Sequence, residues 1–170
     1  MTTPGVPTPE ELCDIEAIKA VKYAYLRCLD TKDWAGIREV FTPDATAAYS
    51  GGAYRADGRD EIVAFLERNM GSESFHSSHR VSHPEIRVDG GTATGTWALA
   101  DTVLDVELGV LIQGAAFYED TYVRTEDGWR ISATGYRRSF EYLLPTSDLP
   151  NLSLTASWWG TDGRSTLPAG

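Results

Sequence analysis

The spacing of apolar residues changes near Met70 and Gly71, and this switch constrains the fold more than any other feature of the chain. Before it, apolar side chains recur every three or four residues, as helices require; after it they alternate, as strands require. Thr8, Pro9 and Glu11 form a helix start, with a capping threonine, a proline at the first helical position and a glutamate completing a capping box. Leu12, Ile15, Ile18, Val21, Tyr25, Cys28 and Leu29 then mark one stripe of an amphipathic helix that should end near Asp30, where Thr31, Lys32 and Asp33 read as a turn. Asp33 can cap a shorter helix carrying Trp34, Ile37, Val40 and Phe41, broken at Thr42, Pro43 and Asp44. Residues 45–49 read as a weak strand, Gly51 and Gly52 as a turn, and about 59–69 as a third helix with Ile62, Phe65 and Leu66 on one face.

Four long strands are expected next, at about 75–88, 92–107, 110–124 and 129–142, punctuated by Asp89-Gly90-Gly91, Gly109 and Glu126-Asp127-Gly128. Helices first and strands second, in one short chain, argue for an α+β fold. The expectation is a cone-shaped α+β barrel, with three N-terminal helices packed on a strongly curved antiparallel sheet. Gly95, Gly114 and Gly135 fall inside strands, where glycine marks bends and bulges that would curl the sheet. The domain should occupy residues 1–145. A tail, 146–170, loses periodicity but keeps Leu149, Leu152, Leu154, Trp158 and Trp159. Two adjacent tryptophans do not belong in water, so the tail should pack on the domain, the pocket mouth or a neighbouring subunit.

Composition narrows the partners. A net charge of −10 repels polyanions, and the basic residues form no stripe, so nucleic acid and anionic membrane surfaces are not expected partners. No apolar run approaches the roughly 20 residues of a membrane span. The first residues lack a basic start followed by an apolar stretch, so no secretory signal is read and a cytoplasmic location is expected. Cys13 and Cys28 sit fifteen residues apart on one helix, roughly 22 Å, beyond disulfide reach. They read as free thiols packed as small hydrophobes.

Several segments together resemble the SnoaL-like branch of the nuclear-transport-factor-2-like superfamily. They are residues 15–41, His79-Arg-Val-Ser-His-Pro-Glu-Ile86, Gly95-Thr-Trp97, Tyr118-Glu-Asp-Thr-Tyr122 and Gly128-Trp-Arg-Ile131. Within that branch the pattern is similar to scytalone dehydratase, bile-acid 7α-dehydratase and hexachlorocyclohexane dehydrochlorinase. The resemblance implies that an Asp at the end of the first helix, here Asp30, pairs with a His on the first long strand, here His79. It implies a polarising tyrosine at Tyr25, an acidic residue at Asp101, and an arginine at Arg137 or Arg138. Of these two, Arg138 is grouped with the catalytic set and Arg137 with substrate contacts, beside Trp97, Tyr49, Tyr118 and Phe65. His83 stands where this branch often has Asn, and the second active-site histidine of scytalone dehydratase has no counterpart, which speaks against melanin-type substrates.

Such a site implies a cofactor-free, metal-free lyase or isomerase acting on a hydrophobic cyclic ketone or alcohol, such as a steroid or polyketide. The end of a helix and a pocket both disfavour a charged Asp30, and an imidazolium at His79 answers that cost. The pair would act as one unit, with Asp30 orienting His79 and His79 moving the proton, while Tyr25 donates to a substrate oxygen. Structural readings compete. Asp30 can simply end its helix, His79 can be a core or rim histidine beside His76 and His83, and Tyr25 lies on the core stripe. Asp105 shares the strand face of Asp101 and competes as the acid. A non-catalytic binding or assembly domain of the same fold is the second reading; a polyketide cyclase or an epoxide hydrolase with an Asp–Arg–Asp cluster follows. A homo-oligomer, trimer or dimer, is expected to cover the outer face of the sheet.

Overall fold

The computed structural model describes residues 6–168. The first helix, α1 (Pro9–Asp30), begins with the capping box that its sequence encodes: Glu11 N–H donates to Thr8, and Thr8 N–H donates to Glu11. It ends at Asp30, with Thr31 closing the last turn through its N–H to Arg27 O. Helix α2 (Trp34–Val40) is capped by the Asp33 carboxylate, which accepts from Gly36 N–H. Phe41, expected at its end, instead begins strand β1 (Phe41–Tyr49), because the chain leaves helical geometry there (φ −102°, ψ 148°). A short turn leads to β2 (Tyr54–Asp57) and then α3 (Arg59–Met70). Strands β3 (Phe75–Asp89), β4 (Thr92–Asp105), β5 (Val110–Thr125) and β6 (Gly128–Pro145) complete the sheet.

The six strands lie in the order β2-β1-β6-β5-β4-β3. β3 through β6 form the expected antiparallel meander. The sheet as a whole is mixed, which corrects the all-antiparallel expectation: β1 runs parallel to β6. The α3 segment that follows β1–β2 lies between them and the meander in sequence, so β1 meets β6 only through long-range packing. At Gly135 this approach is close: a Cβ there would lie 2.6 Å from the Ala48 carbonyl oxygen. The edges, β2 and β3, do not pair, so the curved sheet stays unclosed around the helices.

The core lies between α1 and the concave face of the sheet and includes Ile18, Tyr25, Leu29, Phe41, Trp97 and Ile131. Along β4 every second residue from Ala93 to Asp105 is buried, so Trp97, Leu99 and Asp101 share the inner face. On β3 a bulge falls between Ser82 and Glu85, with His83 at φ 49°. The bulge breaks the alternation that would align His83 with His79, and His83 is exposed. Cys28 is buried, whereas Cys13 is exposed and does not pack in the core. No helix among the described residues is long and apolar enough to cross a membrane.

Candidate active site

The end of α1 meets the start of β3. Asp30 accepts three hydrogen bonds there: Ser77 Oγ–H at 2.8 Å, His79 backbone N–H at 2.8 Å, and His79 Nδ1 at 2.6 Å. With Nδ1 engaged, Nε2 is the free nitrogen of the imidazole. The His79 side chain is 9% exposed and that of Asp30 22%. Burial pushes the Asp30 carboxyl up, but the His79 side chain, its N–H and Ser77 outweigh burial and hold it below the usual aspartate value.

His79 lies opposite Asp101 in the β3–β4 register. Asp101 is buried, and both of its oxygens are taken by Arg138, Nη1 to Oδ1 at 2.5 Å and Nη2 to Oδ2 at 2.8 Å. A bulge at Ser139, between the pairs Ala116–Arg138 and Ala115–Phe140, aims Arg138 at Asp101. The two neighbouring arginines are thereby separated. Arg137 is exposed and lines a different cleft, of about 500 Å³, with Thr46, Arg55 and Glu119. It is not brought to the Asp101–Arg138 pair. Asp105 is occupied by the backbone N–H groups of Glu107 and Leu108, so it shapes the β4–β5 turn.

Deeper inside, Tyr25, Tyr49, Tyr118 and Phe65 form an aromatic layer. The Tyr25 and Tyr49 hydroxyls are 3.2 Å apart, Tyr49 stacks on Phe65, and Tyr118 meets Tyr25 edge-on. Burial pushes the hydroxyls of Tyr25, Tyr49 and Tyr118 well above the ordinary phenol range, so at neutral pH they remain proton donors. Trp97 is fully buried and donates from Nε1 to Tyr122 OH at 3.1 Å, which makes it part of a hydrogen-bond chain in the core.

That chain leads to a group the sequence reading missed. Tyr122 OH donates to Asp120 Oδ2 at 2.8 Å and Thr134 OH to Oδ1 at 2.7 Å. Lys22 Nζ stands 2.8 Å from Oδ2, with neither side chain exposed, and 3.3 Å above the Tyr118 ring centroid. The Lys22–Asp120 contact is ionic and lies off the direction of a good hydrogen bond. Burial pulls the Lys22 ammonium below the ordinary lysine value while Asp120 pulls it back up. The signal was present in the sequence: Lys22 stands four residues after Ile18 on the core stripe, and Asp120 alternates with Tyr118 and Tyr122.

Beyond β6 the tail closes on itself, with Thr166 N–H donating to Thr155 O at 2.7 Å. Trp159 packs against the Lys32 ammonium, 3.7 Å from ring centroid to Nζ, and against His76, while Trp158 is 62% exposed.

Residues 10–135 match the family model of the SnoaL-like domain. The chain belongs to the SnoaL-like family. The uncharacterized protein Rv2910c of Mycobacterium tuberculosis is 30% identical over 139 residues, 79% of this chain and 91% of that protein. Among solved structures, hexachlorocyclohexane dehydrochlorinase LinA-type3 from Novosphingobium barchaimii superposes with a TM-score of 0.72 at 18% identity, over 79% of this chain and 92% of that one. ActVI-ORFA from Streptomyces coelicolor gives 0.63 at 19%, over 74% and 96%. At these identities the two structures show a shared fold alone, and a fold does not decide the chemistry.

Proposed function

We propose that this SnoaL-like protein is a cofactor-independent acid–base enzyme, a dehydratase-like lyase, with isomerase or cyclase as the runner-up. Its substrate would be a hydrophobic cyclic ketone or alcohol such as a steroid or polyketide. The observation that carries this reading is the triply hydrogen-bonded Asp30 carboxylate, which fixes the His79 imidazole through Nδ1 and leaves Nε2 as the base. Nε2 takes the proton from carbon next to a carbonyl. The C–H electrons form the new double bond as the β-hydroxyl departs, and the imidazolium returns its proton to that hydroxyl, releasing water. Asp30 stabilises the imidazolium while it exists. Tyr25, neutral and a donor, polarises the carbonyl, and the Asp101–Arg138 pair stands beside His79 on the neighbouring strand.

The test is a screen of cyclic β-hydroxy ketones for elimination, read as the ultraviolet absorbance of the conjugated enone. We expect turnover with at least one such ketone, and about a hundredfold loss or more in His79→Gln. Turnover unaffected by His79→Gln would refute the assignment of the base.

One observation favours a second reading, a non-catalytic binding or assembly domain. Three surface clefts, around Thr46 and Arg137, around Glu11 and Arg87, and at 148–152, are lined by residues other than Asp30, His79, Asp101 and Arg138. Ligands that bind without turnover would favour that reading. In either case we assign a homo-oligomer. Large apolar residues stand exposed at one end of the sheet, with Leu108 at 75%, Phe140 at 58% and Leu143 at 52%, and this end is where a second copy would cover them. We infer that the tail, held at Lys32 and His76 through Trp159, packs on the domain.

A further inference from the structure

Arg138 is held in an unusual frame. Asp101 on β4, Gly114 on β5 and Glu141 on β6 are register partners in one row across three strands, and partners in a row share a face. The Arg138 guanidinium lies over Gly114: a Cβ on that glycine would come within 2.8 Å of Nη1. The absence of a side chain at residue 114 is therefore what lets Arg138 lie flat across the strand. On one side its two Nη atoms grip Asp101, whose side chain is 4% exposed. On the other side Nε meets Glu141 Oε2 at 2.9 Å, and Glu141 is 49% exposed.

The two carboxylates are not equivalent. Asp101 is buried and bound through both oxygens, so it is fixed. Glu141 is half in water, and an exposed ion pair of this kind adds little stability. The Nε edge of a guanidinium is also shaped to take a second carboxylate side-on. A ligand carboxylate arriving at Arg138 would replace Glu141 like for like, with no change in the charge of the cluster.

We propose that the Nε edge of Arg138 is a receptor for an anionic group, a carboxylate, on the cyclic ligand, and that Glu141 occupies it in the free protein. Glu141 is then a specificity-determining residue that weakens binding of acids and spares neutral ligands. This inference rests on the proposed reading of the protein as one that takes a hydrophobic cyclic molecule, and it adds ring compounds bearing a carboxylate to that ligand class, with Glu141 setting how well they compete with neutral ones.

The test uses two probes of matched shape, 2-naphthoate and 2-naphthamide, titrated at pH 7 into the full-length protein and into Glu141→Gln by calorimetry. Glu141 is exposed at the surface, so its replacement leaves the fold intact, which circular dichroism checks. The expected result is that naphthoate binds roughly two- to fivefold tighter to Glu141→Gln than to wild type, the range set by an exposed ion pair, while naphthamide binding is unchanged. A second variant, Arg138→Met with Asp101→Asn, removes both charges of the pair together and, combined with Glu141→Gln, should abolish the gain in naphthoate binding. If both probes bind but their ratio is the same in wild type and Glu141→Gln, the anion receptor is overturned and the aromatic site stands. If neither probe binds to any of the proteins, both the receptor and the reading of the cone as an aromatic ligand site are overturned.

Discussion

Replacing Asp120 by Asn leaves Lys22 in the core without its counterion while nearly preserving shape. Removing one partner of a buried ion pair typically costs about 3–5 kcal/mol. Here the structure supplies an upper bound. The Lys22 side chain is completely out of contact with bulk solvent, so the least costly escape is to lose its proton. With an ordinary lysine value of about 10.4 and about 1.36 kcal/mol per pKa unit, that escape costs at most about 4.6 kcal/mol at pH 7. By pH 9 the bound falls to about 1.9 kcal/mol on the same scale. The folded Lys22 is already depressed, so in the window just below the ordinary lysine value the unfolded chain binds more protons and stability rises with pH. Asp120→Asn depresses Lys22 further, so its rise begins at lower pH and is steeper. The assay is urea unfolding followed by tryptophan fluorescence, at fixed protein concentration, at pH 7 and pH 9. The expected destabilisation is about 3–4.6 kcal/mol at pH 7, falling to about 1.9 kcal/mol or less at pH 9. Lys22→Met together with Asp120→Asn should recover part of the loss, because no charge is then stranded. A loss that is the same at both pH values would refute the reasoning, since it would show that Lys22 protonation is not coupled to Asp120.

Gly114→Ala should cost about 1–3 kcal/mol in the same unfolding assay, because the new Cβ meets both Arg138 and the Phe140 carbonyl oxygen, 2.9 Å away. Ser77→Ala removes one of the bonds holding the Asp30 carboxyl below its ordinary value. The stability contributed by Asp30 is present above the unfolded aspartate value and lost as pH falls through the folded one, so the variant should begin acid unfolding at higher pH than wild type. Trp159→Ala removes the cation–π contact with Lys32, about 1 kcal/mol, and limited proteolysis should then cut the tail at 149–168 faster while leaving the helices and sheet intact.

Much of the fold is legible because its signals are local. Thr8, Pro9 and Glu11 specify where α1 starts, and the turn at Asp89-Gly90-Gly91 specifies where β3 ends. Strand β2 and the parallel pairing of β1 with β6 were not legible. Tyr54–Asp57 is four residues long with a single buried side chain, Ala56, so it has no alternation to read. Its partner and β6 are selected by packing over more than eighty residues of chain, and nothing near residue 41 announces that Phe41 opens a strand. At the site, Asp30, His79 and Asp101 could be picked out through the resemblance to the SnoaL-like branch, which points to an acid at the end of the first helix, a histidine on the first long strand and an acid on the next. The choice between Arg137 and Arg138 could not, because it turns on the bulge at Ser139. Lys22 and Asp120 were overlooked for a different reason: each is a charged residue at a core-facing position, where a pattern search expects apolar side chains and passes over the exception.

The central claim is that Asp30 and His79 act as one acid–base unit, and the most direct measurement is an NMR titration of the Asp30 carboxyl in wild type and in His79→Gln. Burial pushes this carboxyl up and the His79 side chain helps hold it below the usual aspartate value, so loss of the imidazole should move the Asp30 titration midpoint up. A midpoint that is the same in the two proteins would contradict the account, and the binding-domain reading would then take its place.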